Sequence, residues 1–341
     1  LTTDEKKFDP NSAAEHGGIF GLPCGPDDSK VVLIPVPWEL TTSYGKGASL
    51  GPEAIKQASM QVDLHDLAFG DIYKAGIYLA PVDGAMKEAC DYANFLRHEI
   101  QREDRAHPSM AQLADANRIG DELNQMVSRQ VAEWRAKGKL VGLIGGEHSV
   151  SYGAIKAHAE AIPNLGVLHI DAHADLRIAY EGFTWSHASV MRNAMDRLTV
   201  RRLVQIGVRD YCEQEAEAIR TDTRIITHFD EDIANKMARG EQWEALCHKM
   251  LDALPENVYI SFDIDGLDPT LCPHTGTPVP GGLSFRDIEV LLRVVSEKCH
   301  VVGFDLVEVA PGRDDEWDAN VGARVLYKLI GCMLASQTNA R

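Results

Sequence analysis

The chain has 341 residues, 45% of them apolar, and a formal net charge of −17. That acidic excess argues against nucleic-acid binding, which needs a basic face; it favours solubility and attracts small cationic molecules. Seven cysteines at 24, 90, 212, 247, 272, 299 and 332 make no CxxC pair. An odd, scattered count fits reduced thiols in a cytosol, and no stretch has the pattern of a signal peptide or bilayer span. A cytoplasmic protein without a membrane partner is expected.

In chain order, a polar extension over residues 1–30 precedes one catalytic domain over 31–341. Strand-like apolar runs fall at Val31–Pro37, Leu140–Ile144, Leu165–Ile170, Leu203–Val208, Arg224–Phe229, Val258–Phe262 and Val301–Val309. Helical spacing of apolar residues appears over Glu53–Met60, Ala111–Lys137, Glu213–Arg220, Asp232–Leu254, Phe285–Lys298 and Val321–Ala335. A further helical pattern, Met86–Arg105, breaks near His107-Pro108; its mixed charge reads as a solvent-facing helix, with a lid or subunit contact as the alternative. Strands alternating with helices predict an α/β fold with a mainly parallel sheet covered on both faces.

Such sheets bind ligands beyond the carboxyl ends of their strands. The polar clusters begin where apolar runs stop: Gly145-Gly146-Glu147-His148-Ser149, Asp171-Ala172-His173-Ala174-Asp175, Asp263-Ile264-Asp265 and Glu308. An extended chain sends residues i, i+2 and i+4 to one face, so Asp171, His173 and Asp175 are expected to converge, as are Asp263 and Asp265. Carboxylates packed that closely repel unless a cation lies among them, and divalent metals favour mixed carboxylate and imidazole sets. The pattern predicts a metal site.

These segments, with Ser261-Phe262-Asp263-Ile264-Asp265-Gly266-Leu267-Asp268-Pro269 and Gly303-Phe304-Asp305-Leu306-Val307-Glu308-Val309-Ala310-Pro311, resemble the ureohydrolase superfamily of arginases and agmatinases from about residue 30 onward. The resemblance implies a three-layer α/β/α arginase-like fold and two divalent metal ions, nickel or manganese. By it, His148, Asp171, Asp175 and Asp263 hold one ion, and Asp171, His173, Asp263 and Asp265 the other, with Asp171 and Asp263 bridging. Two such cations can generate hydroxide near neutral pH. Asp175 would aim that hydroxide, Glu308 would pair with a planar guanidinium, and His187 would carry the proton that the leaving nitrogen needs.

The loop after Asp175 lacks the Asn/Thr/Ser-rich residues of arginases and looks like the agmatinase branch. Pro35-Val36-Pro37-Trp38-Glu39-Leu40-Thr41-Thr42-Ser43-Tyr44-Gly45 resembles the subgroup with nickel-dependent guanidine hydrolases and metformin hydrolases. Tyr180 and Trp185, with His187 and Glu308, are expected to bind substrate, and Trp38, Phe183 and Trp317 to flank the mouth. Guanidine or a substituted guanide such as metformin is the expected substrate. The alternatives are agmatine, whose second ammonium Glu181 could meet, and a non-catalytic partner subunit; a one-metal zinc deacetylase does not account for the Asp263/Asp265 pair. The resemblance implies a homo-oligomer, trimer or hexamer, or a mixed oligomer with a paralogue. His169 is expected to be a core histidine bonded to backbone. His65, His228 and His274 read as structural or surface residues, Asp268 as a turn brace and Gly276–Gly282 as a loop.

Overall fold

The computed structural model describes residues 8–14, 17–42, 44–102 and 108–338. Eight strands form one sheet: β1 Val31–Val36, β2 Ile77–Leu79, β3 Leu140–Gly145, β4 Leu165–Ile170, β5 Val200–Val208, β6 Ile225–Phe229, β7 Asn257–Asp263 and β8 His300–Val307. Their order is β2-β1-β3-β8-β7-β4-β5-β6, and every pairing is parallel. The strands are rich in Val, Ile and Leu, and most of their residues are buried because helices cover both faces.

Alternation along the strands divides the core in two. Val31 and Leu33 of β1 and Leu168 and Ile170 of β4 join a cluster with α1 (Gly51–Ser59), α9 (Phe285–Lys298) and α10 (Trp317–Ser336). Ile34, Val36, Leu165 and Val167 face the other way, toward α2 (Gly84–Arg102), α3 (Met110–Ala136), α4 (Ser151–Ala161) and α5 (Val190–Arg197). The result is three layers, α/β/α.

The expected parallel sheet is present, with all its pairings parallel. The structure corrects several expectations. It contains an additional strand, β2, whose three residues carry too little periodicity to stand out in the sequence. The helical stretch Asp232–Leu254 is two helices, α7 (Asp230–Ala238) and α8 (Trp243–Leu251), separated by a turn in which Gly240 has φ 94°. α4 and α5 are also additional: α4 is buried along most of its length, so it shows no polar face. The break near His107-Pro108 falls partly outside the described residues; Ser109 caps α3, with reciprocal bonds to Gln112. Ahead of β1, Ile19, Phe20 and Leu22 are buried in the core, and the Phe20 amide donates to Ser59 Oγ at 2.9 Å. Among the described residues no helix is long and apolar enough to cross a membrane.

Strand order brings the polar clusters together. β3, β8, β7 and β4 are consecutive neighbours, and the clusters lie at their carboxyl ends. Residues separated by as many as 160 positions in the chain thereby meet, as in the bond from the His148 amide to Glu308.

Candidate functional site

His148 opens the 3-10 turn that follows β3, and its ring is fully buried. Nδ1 lies 3.1 Å from Asp171 Oδ2, 3.0 Å from Asp175 Oδ2 and 3.2 Å from Asp263 Oδ2. On the far side of the ring, Nε2 is 2.9 Å from Ser261 Oγ, whose hydroxyl donates to Asp305 Oδ1 at 2.9 Å. Since that hydroxyl proton is committed to Asp305, Ser261 must accept from Nε2–H. The Nδ1 lone pair therefore faces three carboxylates, an arrangement that calls for a cation.

A second group adjoins the first. His173 Nδ1 is 3.0 Å from Asp265 Oδ2 and 3.4 Å from Asp171 Oδ1. Asp171 thus touches both groups, one oxygen to each. The contacts of Asp263 Oδ2 lie with the His148 group, while its Oδ1 accepts the Asp265 amide at 2.8 Å. All six sequence-predicted metal residues come together, in two nests of imidazole and carboxylate suited to divalent ions.

They do not converge by extended-chain alternation. Asp175 has φ 53°, and Asp265 belongs to a 3-10 turn begun by the Asp263 side chain. The His173 amide likewise bonds back to Asp171 Oδ1 at 2.5 Å. Tight turns, made after each strand has ended, gather the side chains.

The electrostatics agree with a cation site. Burial, then the charge of Asp171, pushes the Asp175 carboxyl up to about 6. Burial together with Asp265 and Asp171 raises Asp263 well above the ordinary range. Burial alone would lower His148 and His173, but the carboxylates around each outweigh it and raise both imidazoles. Without metal, protons occupy the places that cations would take. Asp175 holds its extra proton in the folded state between the ordinary 3.8 and about 6, so it removes stability as pH rises through that window. The raised histidines act in the same direction, losing their stabilisation as pH climbs through their folded values. Added manganese or nickel is therefore expected to raise Tm far more at about pH 7.5 than at about pH 5, because metal and protons compete for one set of atoms. Equal metal-induced shifts at both pH values would contradict the assignment.

His169 departs from expectation. Its Nε2 lies 2.8 Å from Asp171 Oδ2, not on the backbone, and its Nδ1 accepts from Gln205 Nε2 at 2.9 Å. Gln205 also donates to Ala174 O at 2.7 Å and accepts the Thr227 hydroxyl at 2.8 Å, which fixes its amide orientation. Thr227, Gln205, His169 and Asp171 form one chain from half-buried Thr227 on β6 through buried Gln205 and His169 on β5 and β4 to Asp171 just past β4. The signal was present in the sequence, since His169 and Asp171 stand two apart. His169→Ala is expected to weaken metal binding by about 10–100-fold, as loss of a partner that orients a ligand typically does. Metal titration checks this, and unchanged affinity would remove His169 from the site.

Glu308 follows β8 with φ 62°, a left-handed conformation that turns it back beneath the nests. Its Oε1 accepts the His148 amide at 2.7 Å. Its Oε2 is buried without a hydrogen bond, and burial together with Glu147 raises the carboxyl well above its ordinary value. A Cβ at Gly276 would lie 3.2 Å from Oε2, so the glycine keeps space open there. A buried, unsatisfied carboxyl oxygen that is disfavoured from ionising alone is a place where a cationic hydrogen-bond donor is needed to bring out the charge.

His187, at the start of a 3-10 turn, has Nδ1 3.1 Å from Thr41 Oγ1. Burial, then the nearby His173 and His148, lowers its pKa to about 3. Tyr180 meets its ring edge-on at 5.6 Å, and the Arg177 guanidinium lies 5.3 Å above the Tyr180 ring. Trp185 is elsewhere: its ring packs 4.8 Å from Tyr152 and against α3, where Gly120 leaves the notch that receives it. Trp38 and Phe183 are also buried, Trp38 donating to Glu147 Oε1 at 3.2 Å, and Trp317 donates to Thr270 O. Of the aromatics expected at the mouth, Tyr180 is the one that touches a predicted site residue.

Asp268 braces its turn through the Thr270 amide and hydroxyl, as expected. His65 is exposed and pairs with Asp71, and His274 pairs with Asp318. The helical insertion contributes something the sequence did not reveal: Arg97 of α2 is buried and bonds Glu39 Oε1 at 2.6 Å. Glu39 in turn accepts the Gly47 and Ser49 amides, pinning the loop after β1. Glu147 holds the near end of that loop through Leu40 and Thr41; burial raises its carboxyl, with the Ser149, Thr41 and Leu40 donors opposing.

Comparison with known proteins gives a consistent picture. The profile of the arginase family matches residues 29–332. N(1)-aminopropylagmatine ureohydrolase of Thermus thermophilus is 33% identical over 318 residues, covering 92% of this chain and 94% of that protein. The crystal structure of agmatine ureohydrolase of Thermoplasma volcanium superposes with a TM-score of 0.72 at 25% identity, covering 95% of this chain and 97% of that one. Proclavaminate amidino hydrolase from Streptomyces clavuligerus gives 0.73 at 25% identity, covering 95% and 99%.

Proposed function

The chain belongs to the arginase family of hydrolases acting on carbon–nitrogen bonds of linear amidines, and on that basis we propose that it is a two-metal ureohydrolase of a guanidine with an aminoalkyl tail, of the agmatine kind. The observation that carries this reading is the buried, unpartnered Oε2 of Glu308 beside two imidazole–carboxylate nests. A guanidinium is planar, cationic and rich in donors, and so meets the need of that oxygen.

His148, Asp171, Asp175 and Asp263 would hold one ion, and His173 and Asp265 the other, with Asp171 and Asp263 shared. Bound there, two manganese or nickel ions would supply the chemistry of a hydroxide formed from water near neutral pH. Glu308 orients the guanidinium through Oε2 while its Oε1 stays on the His148 amide. Asp175, whose Oδ2 is already at the His148 nest, accepts a hydrogen bond from the nucleophile and aims it. His187 moves a proton to the departing nitrogen, because an amide anion is too basic to leave. The tail assignment draws on the names of the relatives and on the net charge of −17, which favours a dication.

One observation favours a second reading, a small guanidine with an uncharged tail. Arg177 stacks on Tyr180 beside His187 and places a fixed positive charge there. A second ammonium at that spot would be repelled. Urea release should be measured on agmatine, N(1)-aminopropylagmatine, arginine, guanidine and dimethylbiguanide, with manganese and nickel separately. Agmatine or its aminopropyl derivative is expected to lead. Turnover of guanidine or dimethylbiguanide alone would replace this reading with the second, and silence across the panel with both metals would overturn both.

A further inference from the structure

Glu147 is fully buried next to His148, yet its carboxylate serves the loop after β1. Its Oε2 accepts the Leu40 amide at 2.9 Å and the Thr41 amide at 2.7 Å. Its Oε1 accepts Trp38 Nε1 at 3.2 Å, the Ser149 hydroxyl at 2.7 Å and the Thr41 hydroxyl at 3.0 Å. Three of these donors, two amides and an indole N–H, cannot reverse direction. Thr41 is itself buried, and its Oγ1 also accepts the His187 amide at 3.2 Å and lies 3.1 Å from His187 Nδ1. A hydroxyl has one proton and two lone pairs. One lone pair takes the His187 amide. The proton goes to the carboxylate, the stronger acceptor. What remains for Nδ1 is a lone pair, so Nδ1 must carry hydrogen.

We propose that Glu147, acting through the Thr41 hydroxyl, is the positioning group that locks His187 in its Nδ1–H tautomer and reserves Nε2 for the catalytic proton. Nε2 takes up the proton that the attacking oxygen releases as the urea carbonyl forms and gives it to the leaving nitrogen as the carbon–nitrogen bond breaks, while the Nδ1 hydrogen stays on Nδ1, donated to Thr41 Oγ1, throughout. A ring free to exchange tautomers would spend part of its time presenting a hydrogen where a lone pair is needed. The arrangement extends the reading of His187 as proton carrier and rests on it.

The test compares Thr41→Val, which keeps shape and removes the hydroxyl, with Thr41→Ser, which restores it. In the full chain labelled with 15N-histidine and loaded with zinc as a diamagnetic stand-in for manganese or nickel, long-range 1H–15N correlations report the tautomer, with His187 assigned by its absence from His187→Asn. The wild type is expected to show Nδ1–H, Thr41→Val to lose that preference and Thr41→Ser to retain it. In parallel, kcat for urea release from agmatine and from guanidine is expected to fall by about tenfold or more in Thr41→Val with KM within about twofold, and to recover in Thr41→Ser. An unchanged tautomer in Thr41→Val, or equal impairment of the Val and Ser variants, overturns the proposal. Full activity in His187→Asn would remove the proton-carrier reading and this one with it. An inactive His187→Asn beside a fully active Thr41→Val would remove only this one.

Discussion

Asp171→Asn is expected to reduce kcat/KM for urea release by at least about 10³-fold, or about 4 kcal/mol of transition-state stabilisation, and to leave purified protein with less than its full metal complement. Among the described residues, Asp171 is the one carboxylate whose oxygens contact both His148 and His173. Converting it to an amide removes a charge shared by both nests and replaces one acceptor oxygen with an NH2 group. The loss compounds on two sides. An NH2 turned toward His148 Nδ1 would satisfy that lone pair without any cation, and one turned away would lose its bond from the His173 amide. In either orientation the His169–Gln205 chain ends on a weaker acceptor or on a second donor. The fold should survive, since Asp171 lies past the end of β4 and its bond to β5, from its amide to Ile206 O at 3.2 Å, is a main-chain bond that asparagine keeps. Elemental analysis with steady-state kinetics decides the matter: two ions per chain and activity within tenfold of wild type would show that Asp171 does not bridge.

Glu308→Gln tests the other half of the site and should separate cleanly from the first. The glutamine carbonyl can still accept the His148 amide, so the local backbone has no reason to move. What disappears is the charge that Oε2 would carry once a guanidinium pairs with it. Breaking one side of a buried, hydrogen-bonded charge pair costs about 3 kcal/mol, or roughly 10²-fold in kcat/KM. Metal content and metal-induced Tm shifts are expected to remain at wild-type values, because the side-chain bond of Glu308 goes to the His148 amide and not to the carboxylate nests. Wild-type kcat/KM in Glu308→Gln would show that Oε2 does not hold the substrate. Lost metal would instead place Glu308 in the cation site.

The two variants differ in how readily the sequence exposed them. Asp171, His173, Asp175, Asp263 and Asp265 were legible because each stands within five residues of a strand end, and strand ends are written in local patterns of Val, Ile and Leu. Their convergence was foreseen for an incomplete reason. Alternation in an extended chain suggested a common face, but left-handed Asp175 and the 3-10 turn at Ile264–Gly266 do the gathering. A turn conformation of this sort depends on what surrounds it: the Ala172 amide, for example, is held by Asp265 Oδ1 from β7's far end. Trp185 erred in the other direction. An aromatic two residues from His187 looked like a pocket wall, and only the notch at Gly120 on a distant helix showed where the indole goes.

The chain alone determined the alternation of strands and helices, the metal-type residues at three strand ends with Glu308 at a fourth, and the family to which they belong, because each is a short-range pattern of residue type and spacing. The tertiary structure decided what depends on long-range neighbours. It placed β3, β8, β7 and β4 side by side, left Glu308 Oε2 unpartnered, connected His169 to Gln205 and Thr227, and set Arg177 over Tyr180. Hydrogen-bond direction and charge at a buried atom are set by whichever groups pack against it, and in a parallel sheet those groups come from strands remote in sequence.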